Sequence, residues 1–268
     1  MSEHKKFKYY YDKALAELLA GKIKKALPKF NDIAYVTKVS ASLDDLELKA
    51  RVEVFTDCLQ EYLPEDYEKA VSGLLKILGP ENKNETGMFK EGYWLMPVAY
   101  FIEKYGTEDF DTSVKAIEEV TKRHTGEYAV RPFIRKYPKK MLKQMKKWSK
   151  DKNFHIRRLA SEGVRPRLPW SKRLDEFIED PAAIMPILEN LKEDESKFVQ
   201  KSVANCLNDI LKDNFTVAMS ILKKWAKSDN KNTKWIVKHA LRNEFKKKNT
   251  EALEIMDKLL KTSLLGII

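Results

Sequence analysis

The feature that most constrains the fold is the helical spacing of apolar residues, which continues through nearly every segment between chain breaks. Leu48, Val52, Phe55 and Leu59 follow one another at intervals of three or four residues, and strand-like alternation is scarce. Such spacing places apolar side chains on one face of a helix. The pattern predicts an all-α chain, with its longest loop in the polar, glycine-containing stretch 79–92.

The C-terminal half contains a loose internal repeat. Segment 151–160 aligns with segment 194–204, which sets Phe154 against Phe198 at an offset of 44 residues. A third copy places Trp235 opposite Phe198, at an offset of 37 residues. Periods of this length are typical of two-helix HEAT-type repeats, which stack into a curved α-solenoid with a concave binding face.

We therefore predict one HEAT-like α-solenoid domain over residues 1–268, with less regular helices in 1–92 and more regular repeats in 93–268. A basic residue recurs at the matching position of the three repeats. These residues are Arg157, Lys201 and Lys238. Cations repeated at this interval could follow a phosphate backbone, so we expect them to bind DNA along a basic concave face.

The charge balance favours a polyanionic partner. Lys and Arg total 51 against 40 Asp and Glu, which gives a formal net charge of +11. The excess is concentrated in residues 136–158, where ten Lys and Arg face the single acid Asp151. A positive band of this kind attracts nucleic acid without identifying it.

Several classes of protein have no motif to support them here. Cys58 and Cys206 form no CxxC pair, and the four histidines lack the spacing of metal ligands. Phosphate-binding loops, dinucleotide-binding glycine motifs and the GxSxG elbow are also missing. We expect no metal and no cofactor. The N-terminus lacks a secretory pattern and no run is long enough to span a bilayer, so we expect a cytoplasmic protein.

The segment 153–170, NFHIRRLASEGVRPRLPW, concentrates groups that suit nucleic acid. Trp170 follows Pro169 in a proline-stiffened loop, where its ring could serve as a rigid wedge or stacking surface. Four arginines of this segment could reach phosphates. They are Arg157, Arg158, Arg165 and Arg167. A solvated basic face beside a Trp that packs in a helical core would explain the same residues.

Three carboxylates draw attention. Glu162 lies in the last turn of a helix, where the macrodipole disfavours it unless a cation such as Arg158 compensates, although a plain surface pair explains it equally well. Glu127 follows Thr125-Gly126 and is expected in a first helical turn, a position that helix electrostatics favours for any acid. Asp209 falls on the polar face of its helix, where a solvated aspartate is the ordinary interpretation.

The residue order of FHIRRLASEGVRPRLPW resembles the signature of the AlkC branch of DNA alkylation repair glycosylases, and TGEYAVRPF at 125–133 resembles a second block of that family. Further similarity covers most of residues 40–225. The resemblance implies an active site of carboxylates and a tryptophan, which falls on Glu127, Glu162, Asp209 and Trp170. Longer members carry a C-terminal β-sandwich domain, and we expect this chain, which ends at SLLGII, to do without it.

The resemblance also implies an activity. It predicts a monomeric DNA glycosylase that hydrolyses the bond between sugar and a cationic alkylated base such as 3-methyladenine in double-stranded DNA. Glu162 would stabilise the sugar cation or orient water, Glu127 and Asp209 would support it, and Trp170 would contact the lesion. The target base could be flipped into a pocket, or treated in a groove that bends the DNA.

Two other interpretations fit the same features. A non-catalytic HEAT scaffold that binds bent or damaged DNA, or RNA, would use the same basic surface. A protein-interaction solenoid would explain the repeats but would leave the basic band and the Trp170 loop without a role.

Overall fold

The computed structural model describes residues 5–87, 89, 90 and 92–265, with side chains up to residue 260. Within these residues the secondary structure is helical throughout and contains no strand. This confirms the predicted all-α class. The chain divides into two compact units, Met1–Lys136 and Tyr137–Ile268. The single HEAT-like domain over 1–268 stays a prediction.

The first unit contains seven α-helices within its described residues. They are α1 Lys13–Ala26, α2 Asp32–Ala41, α3 Leu48–Tyr62, α4 Tyr67–Leu75, α5 Met96–Tyr105, α6 Phe110–Thr121 and α7 Val130–Lys136. Short 3-10 helices precede α1 at Phe7–Tyr10 and α5 at Tyr93–Leu95. The described residues of the 79–92 stretch belong to the long connection between α4 and α5, as the sequence predicted, and residues 88 and 91 lie outside the described part.

The second unit contains nine α-helices within its described residues. They are α8 Pro138–Trp148, α9 Phe154–Glu162, α10 Asp175–Glu179, α11 Met185–Leu191, α12 Lys197–Asp213, α13 Phe215–Trp225, α14 Lys231–Ala240, α15 Arg242–Lys246 and α16 Thr250–Leu265. A 3-10 helix at Pro181–Ile184 leads into α11.

Local sequence explains where many of these helices begin. A short polar side chain accepts a backbone N–H of the first turn and so satisfies a group that has no partner inside the helix. The residues that do this are Asp12, Asn31, Asp66, Asp109, Asn153, Ser196 and Asn230. Helices α5, α8 and α11 instead carry Pro in the first turn, where its missing N–H costs nothing.

Packing in the second unit follows the predicted repeat. Helix α9 packs against α12, and α12 packs against α14, while α8, α11 and α13 pack on the same three helices. The buried apolar faces include Leu159 of α9, Val203 of α12 and Ile236 of α14. Stacked helix pairs of this kind bury a continuous core that no single pair could bury alone. The structure thus places the repeated segments on three successive neighbouring helices.

The first unit has an aromatic core. Tyr11, Tyr35, Phe55, Phe101 and Phe133 are all at most 1 % exposed. Tyr11 packs edge-on against Phe55 and donates a hydrogen bond to the carbonyl of Tyr93, 2.7 Å away. The rings therefore fill space between the helices, and the buried hydroxyl keeps a partner.

No helix in the described part of the chain is long and apolar enough to cross a membrane.

Gly106, at the end of α5, offers a test of this packing. A Cβ there would lie 2.5 Å from Ser113 Oγ and 2.6 Å from the Ile102 carbonyl, and would also collide with the Tyr67 hydroxyl. We expect Gly106→Ala to lower the free energy of unfolding by about 1–3 kcal/mol, because these groups cannot move without losing their hydrogen bonds. Urea unfolding measures this change.

Gly21, inside α1, provides the matched control, since nothing lies within 4 Å of its added Cβ. Gly21→Ala should stabilise the protein by about 0.5–1 kcal/mol through helix propensity. Equal effects of the two substitutions would show that the packing around Gly106 is looser than described.

Candidate active site

Glu162 is the last residue of α9, and it is buried at 5 % exposure. The helix begins at Asn153, whose side chain accepts the His155 N–H at 2.9 Å, and it ends at Gly163. Its buried face holds Ile156 and Leu159 as well as Glu162. The carboxylate therefore belongs to the packed side of the helix, and the plain surface pair considered from the sequence is wrong.

Asp209 belongs to α12 and is also buried, at 2 % exposure. The ordinary interpretation of Asp209 as a solvated aspartate is therefore wrong. The polar face of α12 packs against α9 and the loop that follows it, because Ser202 and Asp209 find hydrogen-bond partners there.

Arg165 joins the two carboxylates. Its Nη1 donates to Glu162 Oε1 at 2.7 Å, and its Nε donates to Asp209 Oδ2 at 2.8 Å. Its guanidinium is buried with them, since Arg165 is 8 % exposed. Ionised groups in such surroundings are stable only when they are paired and hydrogen-bonded, and the planar guanidinium can serve two carboxylates at once.

Further groups complete the arrangement. Ser202 donates its hydroxyl to Glu162 Oε2 at 2.6 Å, and Ser161 lies 2.7 Å from the Ser202 oxygen. Arg158 lies one turn before Glu162, with Nη2 3.8 Å from Oε1. Lys212 donates to Asp209 Oδ1 at 3.1 Å. Both oxygens of Glu162 are thus held by neighbours from α9, α12 and the Arg165 loop.

These neighbours keep Glu162 ionised. Burial alone would raise the pKa of its carboxyl, but the charges of Arg158 and Arg165 and the hydrogen bonds from Ser202 and Arg165 outweigh burial. The pKa of Glu162 therefore lies below its usual value. Burial would likewise lower the pKa of Arg165, but the two carboxylates raise it well above its usual value.

Trp170 lies in the loop after α9 and is 72 % exposed, so its ring faces solvent rather than a helical core. Its backbone φ is 63°, in the left-handed region that bulky residues rarely adopt. Buried Leu168 anchors the loop just before it, and the Leu174 N–H bonds to the Pro166 carbonyl at 3.1 Å. The loop therefore presents an indole ring from an anchored, uncommon backbone conformation, which often marks a functional position.

The second loop arginine, Arg167, also binds α12. Its Nε and Nη2 contact the two carboxylate oxygens of Asp213, each at 2.6 Å. Because Asp209 and Asp213 are one turn apart, the two arginines clamp the Trp170 loop to successive turns of one helix. The sequence did not predict this clamp, and DNA contact by Arg165 and Arg167 stays a prediction.

Glu127 lies in the first unit, in the turn that precedes α7 and not in the first helical turn as expected. It is 6 % exposed and accepts a hydrogen bond from the Thr125 hydroxyl. Gly126 is required between them, because a Cβ there would lie 2.5 Å from Thr121 Oγ1 and 2.8 Å from Ile117 Cγ2. Glu127 is thus a buried, fixed carboxylate.

The basic residues at the matching positions of the three repeats lie on the three stacked helices but differ in their surroundings. Arg157 is in the first turn of α9 and is held by Asp194, with Nε 2.6 Å from Oδ2. Lys201 of α12 is exposed, and Lys238 lies in the last turn of α14. The Arg158 guanidinium lies 4.4 Å from the centre of the Phe198 ring, a cation–π contact between neighbouring repeats.

One cation near the site was not anticipated from the sequence. Arg242 of α15 donates to Asn205 Oδ1 at 3.0 Å and to the His239 carbonyl at 2.7 Å. Burial and the nearby charge of Arg165 lower the pKa of Arg242. Both acceptors are neutral, so these hydrogen bonds do not offset the positive charge of Arg242. That charge adds to the positive potential beside the buried carboxylates.

Among the described residues, no group of three His, Cys, Asp or Glu side chains could hold a metal ion.

Comparison with known proteins identifies the family of this chain. A family model described as "DNA alkylation repair enzyme" matches residues 98–243. The uncharacterized protein YhaZ of Bacillus subtilis is 37 % identical over 249 residues, which cover 92 % of this chain and 67 % of YhaZ. The chain belongs to the DNA alkylation repair enzyme family.

A solved structure extends the comparison. The alkylpurine DNA glycosylase AlkC of Pseudomonas fluorescens, bound to DNA containing an abasic site analog, is similar with a TM-score of 0.86 and 34 % identity. The match covers 94 % of this chain and 68 % of AlkC, so this chain spans about two thirds of the length of AlkC. The similarity confirms the predicted helical-repeat fold and the resemblance to the AlkC branch of glycosylases that the sequence indicated.

Arg165 should matter more for stability than Arg167. We expect Arg165→Met to lower the free energy of unfolding by about 3–5 kcal/mol, because it leaves two buried carboxylates without their shared cation. Arg167→Met removes a more exposed pair, whose side chains are 26 % and 16 % exposed, and should cost about 1 kcal/mol. Urea unfolding at neutral pH compares them, and equal losses would contradict a special role for Arg165.

Proposed function

We propose that this chain is an alkylpurine DNA glycosylase that releases cationic alkylated bases, such as 3-methyladenine, from double-stranded DNA. The observation that carries the proposal is the buried, ionised Glu162 next to the loop that exposes Trp170, in a member of the DNA alkylation repair enzyme family. The likeness to AlkC bound to DNA with an abasic site analog supports both the reaction and the partner.

The reaction needs little acid catalysis from the protein. A purine alkylated at a ring nitrogen already carries positive charge, so it leaves as a neutral base when the glycosidic electron pair moves to it. Positive charge then develops on the sugar, and water adds at C1′ to leave an abasic site and a proton. A fixed negative charge near the sugar stabilises this transition state.

Glu162 fits an electrostatic role better than that of a strong base. A general base works best when its pKa lies near the operating pH, whereas the pKa of Glu162 is held below its usual value. Its carboxylate stays charged throughout the neutral range and can orient water through a hydrogen bond. Arg165 and Ser202 act as positioning residues, because they fix the carboxylate oxygens before substrate arrives.

Trp170 supplies the contact with the lesion in this proposal. An exposed indole ring offers an electron-rich face that attracts a cationic base or sugar. Asp209 acts through Arg165 in the second unit, and Glu127 keeps the supporting electrostatic role that the family resemblance implies. A monomeric, cytoplasmic enzyme that needs neither metal nor nucleotide is part of the same proposal.

Release of free base from alkylated duplex DNA in the presence of a chelator tests the reaction. Glu162→Gln removes the charge but keeps size and hydrogen bonding, so we expect a loss of about 10²–10³ in the single-turnover rate. Glu179→Gln removes a carboxylate from the exposed end of α10 and should react at the parent rate. Parent activity in Glu162→Gln would remove Glu162 from the mechanism.

The same experiment judges the non-catalytic scaffold. A folded parent protein that binds the DNA but releases no base would contradict the glycosylase proposal and support a scaffold.

Trp170 can be tested without disturbing the fold, because its side chain is largely exposed. We expect Trp170→Ala to weaken binding to DNA with an abasic site analog by about 1–3 kcal/mol, the usual value of one stacking contact. Its free energy of unfolding should change by less than about 0.5 kcal/mol. Trp170→Phe should recover much of the affinity, and unchanged affinity in Trp170→Ala would exclude contact with DNA.

A further inference from the structure

A second polar site lies beside the candidate active site, between the C-terminal part of α12 and α15. It is a cavity of about 390 Å³ in the second unit. The lining residues are Asn208, Lys212, Asn243, Glu244, Lys246 and Lys247. Every one of these side chains is polar or charged. Polar and charged side chains of this kind suit an anion.

The walls of the cavity are fixed by hydrogen bonds. Asn208 donates its amide to the Ala240 carbonyl at 2.8 Å, and its oxygen accepts the Asn243 amide at 3.0 Å. Glu244 is 8 % exposed, and Asn249 N–H binds its carbonyl at 3.0 Å. The Asn208 and Asn243 side chains and the backbone of Glu244 therefore keep their positions before any ligand arrives.

The charge of the lining is positive. Three ammonium groups face one carboxylate, and Lys247 pairs with that carboxylate, Glu244, at 2.7 Å. Lys212 is shared with Asp209, and its side chain is still 46 % exposed. Lys246 is exposed and forms no salt bridge within the described residues. Lys212 and Lys246 can therefore still donate hydrogen bonds to an anion that enters the cavity.

The cavity is connected to the buried carboxylates. Lys212 lines the cavity and donates to Asp209, which Arg165 joins to Glu162. An anion held here would lie next to the residues proposed to act on the sugar. In a DNA strand, the anions next to a sugar are its own phosphodiesters.

We infer that the cavity between α12 and α15 binds a backbone phosphate of the DNA strand that carries the lesion, with Lys246 and Lys212 as the principal donors. The inference deepens the proposed function and rests on it for the identity of the ligand. The phosphate fixes the register of the strand over Glu162, since contacts to phosphates position a nucleic acid without reading its bases. These lysines are separate from the basic residues at the repeated positions.

Binding to a short undamaged duplex tests the site without requiring base release. We expect Lys246→Gln to reduce the slope of log Kobs against log salt concentration by about 1. The affinity deficit should therefore shrink about fourfold when the salt concentration rises fourfold. Lys224→Gln removes one exposed charge from α13, which contributes nothing to the cavity, and should keep the parent slope.

The side-chain amide signals of Asn208 and Asn243 report on the cavity by NMR. At constant ionic strength, duplex DNA should shift them at far lower concentration than inorganic phosphate does, and Lys246→Gln should weaken the DNA response. If Lys246→Gln showed the same slope of log Kobs against log salt concentration as the parent protein, the inference would be overturned. Amide shifts caused by inorganic phosphate but not by duplex DNA would also overturn it. A protein that releases no base but shows the expected slope change would refute only the glycosylase proposal.

Discussion

The candidate site depends on one guanidinium. Arg165 contacts Glu162 and Asp209 at 2.7 and 2.8 Å, and all three residues are buried. Without that cation, two buried carboxylates would lose the partner they share, which is strongly destabilising. The same contact ties the Trp170 loop to α12. Arg165 therefore contributes to the charge state of Glu162 and also holds the loop that carries the exposed ring.

Helix α12 carries most of the groups that support this arrangement. Ser202, Asp209 and Asp213 follow one another at seven and four residues, so they lie along one face of the helix. They bind Glu162, Arg165 and Arg167, respectively. The adjoining Lys212 extends the polar face to the cavity beside α15. A helix in the middle of a repeat stack is rigid, and rigid elements hold functional groups more accurately than loops do.

Much of the fold could be predicted from the sequence, because apolar spacing and capping residues are local signals. Segments 151–160 and 194–204 aligned as repeats, and they occupy α9 and α12. The environment of Asp209 could not be predicted, because the residues that bury it come from a distant loop. A polar face looks the same in sequence whether it meets water or another polar surface. The clamp of Arg165 and Arg167 was missed for the same reason, although the spacing of Asp209 and Asp213 was visible.

The most direct test is a titration of the Glu162 side chain, followed through its carboxyl carbon by NMR in the intact protein. The central claim is that Arg165, Arg158 and Ser202 hold this buried carboxylate in its ionised form, so we predict a pKa below the usual range of glutamate. A pKa above that range would show that burial outweighs the cations. Glu162 would then carry a proton for part of the neutral range, and the electrostatic role assigned to it would be contradicted.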